Sequence, residues 1–192
     1  MNKSYILKLQ KLCYGLKVLY VEDDENISKQ VHRILNRIFD HIDIEVDGKS
    51  GLEKYEEHNH DIVITDLSMP IINGIVMSHK IKQKNKDQMI IVTSAHNEMK
   101  YMSKLIDIGV NKFIYKPINL KNILEVLAKT SIKILKDKKK KIKHNVCAIN
   151  NPTVIIDGNK IKHANESFKK YFLKDSDGDV CEFRLSCMFK DK

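Results

Sequence analysis

From residue 16 onward, short apolar runs alternate with longer segments whose apolar residues recur at three- and four-residue steps. Five of the short runs read as strands: Lys17–Tyr20 (KVLY), Asp43–Val46 (DIEV), Asp61–Thr65 (DIVIT), Met89–Val92 (MIIV) and Lys112–Tyr115 (KFIY). Between the first two, Ile27, Val31, Ile34, Leu35 and Ile38 fall on one face of a helix. A second helix is expected after Gly74, with Ile75, Val76 and Met77 near its start, and a third over Glu98–Ile108, stopped by Gly109. The last begins at Asn119, a suitable N-cap, and continues through Leu120, Ile123, Leu124, Leu127, Ile132 and Leu135. Strands separated by helices predict an α/β fold, a parallel sheet covered by helices on both faces.

The pattern changes at Lys136. Lysines at 136, 138, 139, 140, 141 and 143 form a charge run that reads either as a solvated continuation of the helix or as a flexible linker. Beyond it, Pro152 and the turn Asp157-Gly158 frame two short β segments, Thr153–Ile156 and Lys160–His163, and Asn165–Leu173 reads as helix. The expected organisation is an N-terminal extension over 1–15, a domain over 16–130, a basic helical linker over 131–146 and a small α+β fragment over 147–192. A fragment of roughly 45 residues is marginal for independent folding without disulfides or a metal.

With 192 residues, 42% of them hydrophobic, the chain has material for one full core and the beginning of a second. No apolar run approaches the roughly 20 residues that cross a bilayer. Lysines and a glutamine interrupt the apolar residues of the opening MNKSYILKLQ, so it does not read as a secretory signal, and a cytoplasmic location is expected. Cys13, Cys147, Cys181 and Cys187 are scattered, and free thiols are the expectation. The net charge of +9 would hint at nucleic acid if it were spread evenly. Residues 1–130 carry 19 basic and 17 acidic residues, net +2, whereas residues 131–192 carry 15 and 8, net +7. The excess belongs to the tail.

Chemistry-bearing residues fall just past the carboxyl ends of four strand candidates: Glu22 and Asp23, Asp66, Thr93 and Lys116. In an open parallel sheet this edge is where ligand crevices form. Three carboxylates meeting there repel one another unless a cation binds, and Mg2+, which takes oxygen ligands and keeps waters and phosphate oxygens in its shell, meets that need.

The segments VLYVEDDE, DIVITDLSMPIINGI, IIVTSAH and NKFIYKPI resemble, in order and spacing, the signature segments of the receiver domain of two-component response regulators, over roughly residues 16–130. The resemblance implies a doubly wound, flavodoxin-like five-stranded sheet in the order 2-1-3-4-5. It implies that Asp66 accepts a phosphoryl group from a sensor histidine kinase or phosphotransfer protein, and that Asp23, Asp66 and the Ser68 carbonyl hold Mg2+, with Glu22 helping through a water or by its charge. Lys116 would pair with the carboxylate and then with phosphoryl oxygens, Thr93 would turn its hydroxyl to the phosphoryl group, and Phe113 stands at the family's switch aromatic position. Output would pass to a downstream protein through the face formed by the domain's fourth helix, fifth strand and fifth helix. The resemblance implies a signalling switch rather than an enzyme.

Each residue also has a plainer reading. Asp66 alone would pass for an acidic residue between a strand and a helix, and Phe113 alone for core; the register of Asp23, Thr93 and Lys116 with Asp66 favours the switch. Asp24 follows Asp23 directly, and spacing from the strand end assigns the acidic pair to Glu22 and Asp23. The lysine run has no recognition helix, zinc spacing or aromatic-basic motif beside it, so specific nucleic-acid binding is not expected; weak binding through the basic tail, or a constitutive interaction module, is the alternative function. DSDGD at 175–179 resembles a calcium loop with its glycine misplaced and reads as a surface turn. Neither His144 with Cys147 nor Cys181 with Cys187 has zinc-site spacing. The stretch PTVIIDGNKIKHANESFKKYF resembles the opening of a PAS sensory domain, too short to close a ligand pocket, so no ligand is expected there; the tail reads either as the remnant of a larger sensor protein or as a dimerisation element continuing the last helix, which would make a homodimer.

Overall fold

The computed structural model describes residues 3–95, 100–157 and 160–172. The chain divides into two compact units, Met1–Ile134 and Leu135–Lys192. The first contains α1 (Lys3–Cys13), β1 (Lys17–Val21), α2 (Glu25–Leu35), β2 (His41–Glu45), α3 (Gly48–His58), β3 (Ile62–Asp66), α4 (Gly74–Lys84), β4 (Met89–Ser94), α5 (Met102–Ile108) and β5 (Lys112–Tyr115). The boundary falls inside α6 (Leu120–Ala148), and β6 (Val154–Asp157), β7 (Lys160–Ala164) and α7 (Glu166–Phe172) follow.

Five parallel strands pair in the order β2-β1-β3-β4-β5, the doubly wound arrangement expected, with helices on both faces. The burial of each strand explains its sequence. Every residue of β3 and β4 is buried, as are Val18–Val21 of β1, because helices cover both faces, and these strands are continuous apolar runs. The edge strands β2 and β5 are only partly buried, and polar residues alternate along HIDIE. For that reason β2 begins two residues before the position the apolar pattern indicates. Asp66 and Thr93 also lie inside β3 and β4 rather than just past them.

Helix boundaries follow local chemistry. The Asp24 side chain accepts from the N–H groups of Asn26 and Ile27 and caps α2, and Asp47 accepts from Lys49 and Ser50 and caps α3. α2 ends at Leu35, so Ile38 is buried in the loop after it rather than on the helix. The expected start of the third helix at Glu98 lies outside the described residues; its described part, α5, ends at Gly109, which has φ +90°. Asn119 Oδ1 accepts from the Lys121 N–H at 2.8 Å at the start of α6, and the helix continues through the lysine run with those lysines exposed.

Residues 3–13 are a helix whose Leu9 and Cys13 are buried; Cys13 Sγ lies 3.3 Å from Ser131 Oγ, and Gln10 donates to the Arg37 carbonyl. α1 thus packs onto the start of α2's exit loop and the middle of α6. In the second unit, β6 and β7 form an antiparallel hairpin, and Val154, Ile161, Ala164 and Phe168 pack together. Asn165 organises it: its amide donates to the Ile149 and Asn151 carbonyls, and its oxygen accepts from the Thr153 and Phe168 N–H groups. The turn at Gly158, the acidic turn at 175–179, Cys181 and Cys187 lie outside the described residues.

If α1 belongs to the core, Leu9→Ala should lower the unfolding free energy by about 2–4 kcal/mol, as truncation of a buried leucine does. Urea unfolding followed by circular dichroism checks this; an effect under about 0.5 kcal/mol, typical of a surface site, would mark α1 as an appendage.

Candidate functional site

Parallel pairing brings the carboxyl ends of the strands to one edge. Register places Asp66 of β3 beside Thr93 of β4, while β1 ends at Val21, opposite Thr65, and delivers Glu22 and Asp23 to the same edge. Lys116 follows β5, and the Lys116–Pro117 peptide is cis.

Asp66 is buried. Its Oδ1 lies 2.8 Å from Lys116 Nζ and accepts from the Thr93 hydroxyl at 3.2 Å, and its Oδ2 accepts from the Ser68 N–H at 3.2 Å. Lys116 also donates to Glu22 Oε1 at 2.9 Å. The other oxygen of Glu22, itself 1% exposed, accepts from the Tyr20 hydroxyl at 3.2 Å. Asp23 is exposed, and one oxygen from each of Glu22, Asp23 and Asp66 lies within 4.8 Å of the others. The third acid, Asp24, is occupied as the cap of α2. Five residues from four distant stretches of the sequence therefore meet: Glu22, Asp23, Asp66, Thr93 and Lys116.

Ser68 touches Asp66 through its N–H. Phe113 is set back from the cluster: paired with Val92 in the β4–β5 register, it packs half-buried against the core group that contains Val92, Leu105 and Val110.

Two contributors were not read from the sequence as part of the site. Tyr20 sits in a run that reads as core, and only the fold shows its hydroxyl meeting Glu22. Gly74 opens α4 directly against Asp66: its N–H donates to the Leu67 carbonyl at 3.0 Å, and a Cβ there would lie 2.1 Å from the Asp66 carbonyl oxygen. Only glycine lets the helix start so close to the Asp66 backbone.

The model of the response regulator receiver domain matches residues 18–128. The chain belongs to this family. Over 108 residues the receiver domain is 33% identical to the response regulator ArlR of Staphylococcus saprophyticus, a match covering 56% of this chain and 49% of that protein. ArlR of Staphylococcus aureus matches at 32% with the same coverage. The chain thus spans about half the length of the curated relatives it matches. Among solved structures, the N-terminal domain of an uncharacterized protein from Wolinella succinogenes is 36% identical with a TM-score of 0.60, covering 64% of this chain and all but 1% of that one, 99%. The REC domain of AraT, a response regulator from Geobacillus stearothermophilus, is 25% identical with a TM-score of 0.60, covering 64% and 98%. The family match ends before the tail.

Burial and like charge set the electrostatics of this receiver site. Desolvation raises the Glu22 pKa; the hydrogen bond from Lys116 pulls it back, and the charge of Asp66 pushes it further up. Burial alone would lower the pKa of Lys116, but the two carboxylates outweigh it and hold the ammonium charged above its ordinary range. Burial, then the Glu22 charge, drives the Tyr20 phenol well above its normal pKa. The phenol stays a donor to Glu22.

A raised carboxyl pKa means that the folded state keeps a proton on Glu22 at pH values where the unfolded chain has released it. Its contribution to stability is complete below the unfolded-state pKa and is lost as pH rises through the folded-state value. Glu22→Gln should therefore match wild type below the ordinary glutamate pKa of 4.5 and become the more stable protein as pH rises toward neutrality. Urea midpoints measured across that interval check the sign; a Glu22→Gln protein that is less stable at neutral pH contradicts it.

Proposed function

We propose that the protein is a response regulator that accepts a phosphoryl group on Asp66 from the phosphohistidine of a sensor histidine kinase or phosphotransfer protein, in the cytoplasm. The observation that carries this reading is the Asp66 carboxylate, buried and held between the Lys116 ammonium and the Thr93 hydroxyl, with Glu22 and Asp23 beside it. In the transfer, a carboxylate oxygen of Asp66 bonds to phosphorus as the P–N bond breaks, and the imidazole leaves with the electron pair. Such a reaction needs positioning and neutralisation of the phosphoryl oxygens rather than a general base. Lys116 supplies one positive charge, and its ammonium shifts from carboxylate to phosphoryl oxygen as charge moves outward.

The donor set fits Mg2+. It consists of oxygens, its three carboxylates face one ammonium, and exposed Asp23 leaves a side open for the waters that this ion retains. Asp23, Asp66 and the Ser68 carbonyl would hold the ion, with Glu22 contributing charge or a water contact; when bound, it would neutralise phosphoryl oxygens.

The product carries roughly two negative charges at the end of β3. Thr93 exchanges its bond to Asp66 for one to the phosphoryl group, and its inward movement vacates space toward which the Phe113 ring turns. The surface of α5, β5 and α6 changes with it, biasing the equilibrium between two states of the partner-binding face. The PAS-like reading of the tail rests on the hairpin-then-helix order of β6, β7 and α7 and on the Ala164-Asn165 pair, and lies beyond the family match, which ends at residue 128. The exposed lysines of α6 are the observation on the side of weak, salt-dependent nucleic-acid binding.

Acetyl phosphate with Mg2+ should add one hydroxylamine-labile phosphoryl group per chain, seen by intact mass, and none to Asp66→Asn or in excess chelator. Equal labelling of wild type and Asp66→Asn would sink the reading. On α6, Ile132, Leu135 and Ile142 recur at three- and seven-residue steps, with Ile132 and Ile142 exposed, as in a narrow coiled-coil seam. Sedimentation should give a dimer that Ile142→Lys converts to monomer.

A further inference from the structure

At the opposite end of the sheet from Asp66, two short sequence pairs, His41-x-Asp43 and His58-x-His60, come together. Asp43 lies on the edge strand β2, His58 in the last turn of α3, and His60 just before β3. Between the two histidines, Asn59 adopts the left-handed conformation, φ 49° and ψ 68°, and its N–H donates to the Tyr55 carbonyl. That reversal turns both imidazoles toward β2. A single oxygen, Asp43 Oδ2, lies 2.5 Å from His58 Nδ1 and 2.8 Å from His60 Nε2, and the three donor atoms fall within 4.8 Å of one another. The trio borders an open cleft of about 350 Å³ that Lys17, Asp40 and His41 also line.

We propose that Asp43, His58 and His60 bind a first-row divalent transition ion, with Zn2+ the strongest fit, leaving the fourth position to water or to His41. Two imidazoles and a carboxylate are the donors such ions select over Mg2+ or Ca2+. Tetrahedral coordination at about 2.0–2.1 Å sets donors roughly 3.3 Å apart, so each ligand need retreat by less than about 1 Å to admit the ion. His60 is buried and its ring stacks on Tyr55 at 6.3 Å between centroids, which fixes the imidazole plane although its Nδ1 has no hydrogen-bond partner among the described residues. The carboxyl end of α3, where His58 sits, carries the negative end of the helix dipole and favours a cation. Lys17 opposes it: its Nζ donates to the His58 carbonyl at 3.4 Å. Asp43 and Asp40 offset that charge. The ion would tie the edge strand β2 to the end of α3 and to the segment entering β3.

This site is independent of phosphoryl acceptance at Asp66 and is tested separately. Zn2+ is titrated calorimetrically into the chelator-treated full chain, with excess Mg2+ present to occupy the acidic edge. One equivalent should bind, its affinity falling at least tenfold in His58→Ala and in Asp43→Asn and staying unchanged in Asp66→Asn. Replacing buried His60 risks unfolding, so the variants are placed at the two more exposed ligands and their folding is checked by circular dichroism. Wild type that takes up no more Zn2+ than His58→Ala overturns the proposal. So does uptake that survives both ligand variants and disappears in Cys147→Ser.

Discussion

Lys116 lies within 3 Å of two carboxylates, Asp66 and Glu22, that the fold forces together. Parallel strands deliver their last residues to one edge, and three of those residues are acids. In a low-dielectric site such like charges repel strongly. The ammonium lets the cluster exist, and it reaches the cluster on the end of β5, the edge strand that pairs with β4. The pairing of β4 with β5 is therefore a condition of the acidic site as well as of the core. Tyr20 extends the same logic inward, since its hydroxyl satisfies the oxygen of Glu22 that Lys116 does not reach.

The central sheet supplies the rigidity that this charge balance needs. β3 and β4 are buried along their whole lengths, so Asp66 and Thr93 are anchored at the ends of strands that have little room to shift. The close approach of Gly74 to the Asp66 backbone holds this residue from the other side.

How much of this was legible in sequence depended on burial and symmetry of environment. β1, β3 and β4 were plain because both faces are covered and the strands are unbroken apolar runs; β2 was displaced because an edge strand admits polar residues. α3 left no apolar stripe, since its buried face is formed largely by Gly48, Gly51 and Tyr55, and Gly51 packs against Met77 and Val21 where a larger residue would make the signal. α1 passed for an extension because the partners of Leu9 and Cys13 lie far along the chain. Glu22, Asp23, Asp66, Thr93 and Lys116 were legible because strand ends mark themselves. The meeting of Asp43 with His58 and His60 was not, because it depends on a left-handed Asn59 and on which side of β1 each strand lies.

α6 is one helix with two kinds of support. Its first half buries Ile123, Leu124, Leu127 and Ile134, whereas its second half carries lysines four residues apart, such as Lys136 with Lys140 and Lys139 with Lys143, with Asp137 as the acid among them. Each such pair disfavours the helix by about 0.2–0.5 kcal/mol, and salt screens the repulsion over roughly 10 Å at 0.1 M. The buried half acts as a nucleus from which the charged half is propagated. Ionic strength thus becomes a control on how far helical order extends from the receiver core, with dilute buffer shortening the helix and added salt lengthening it.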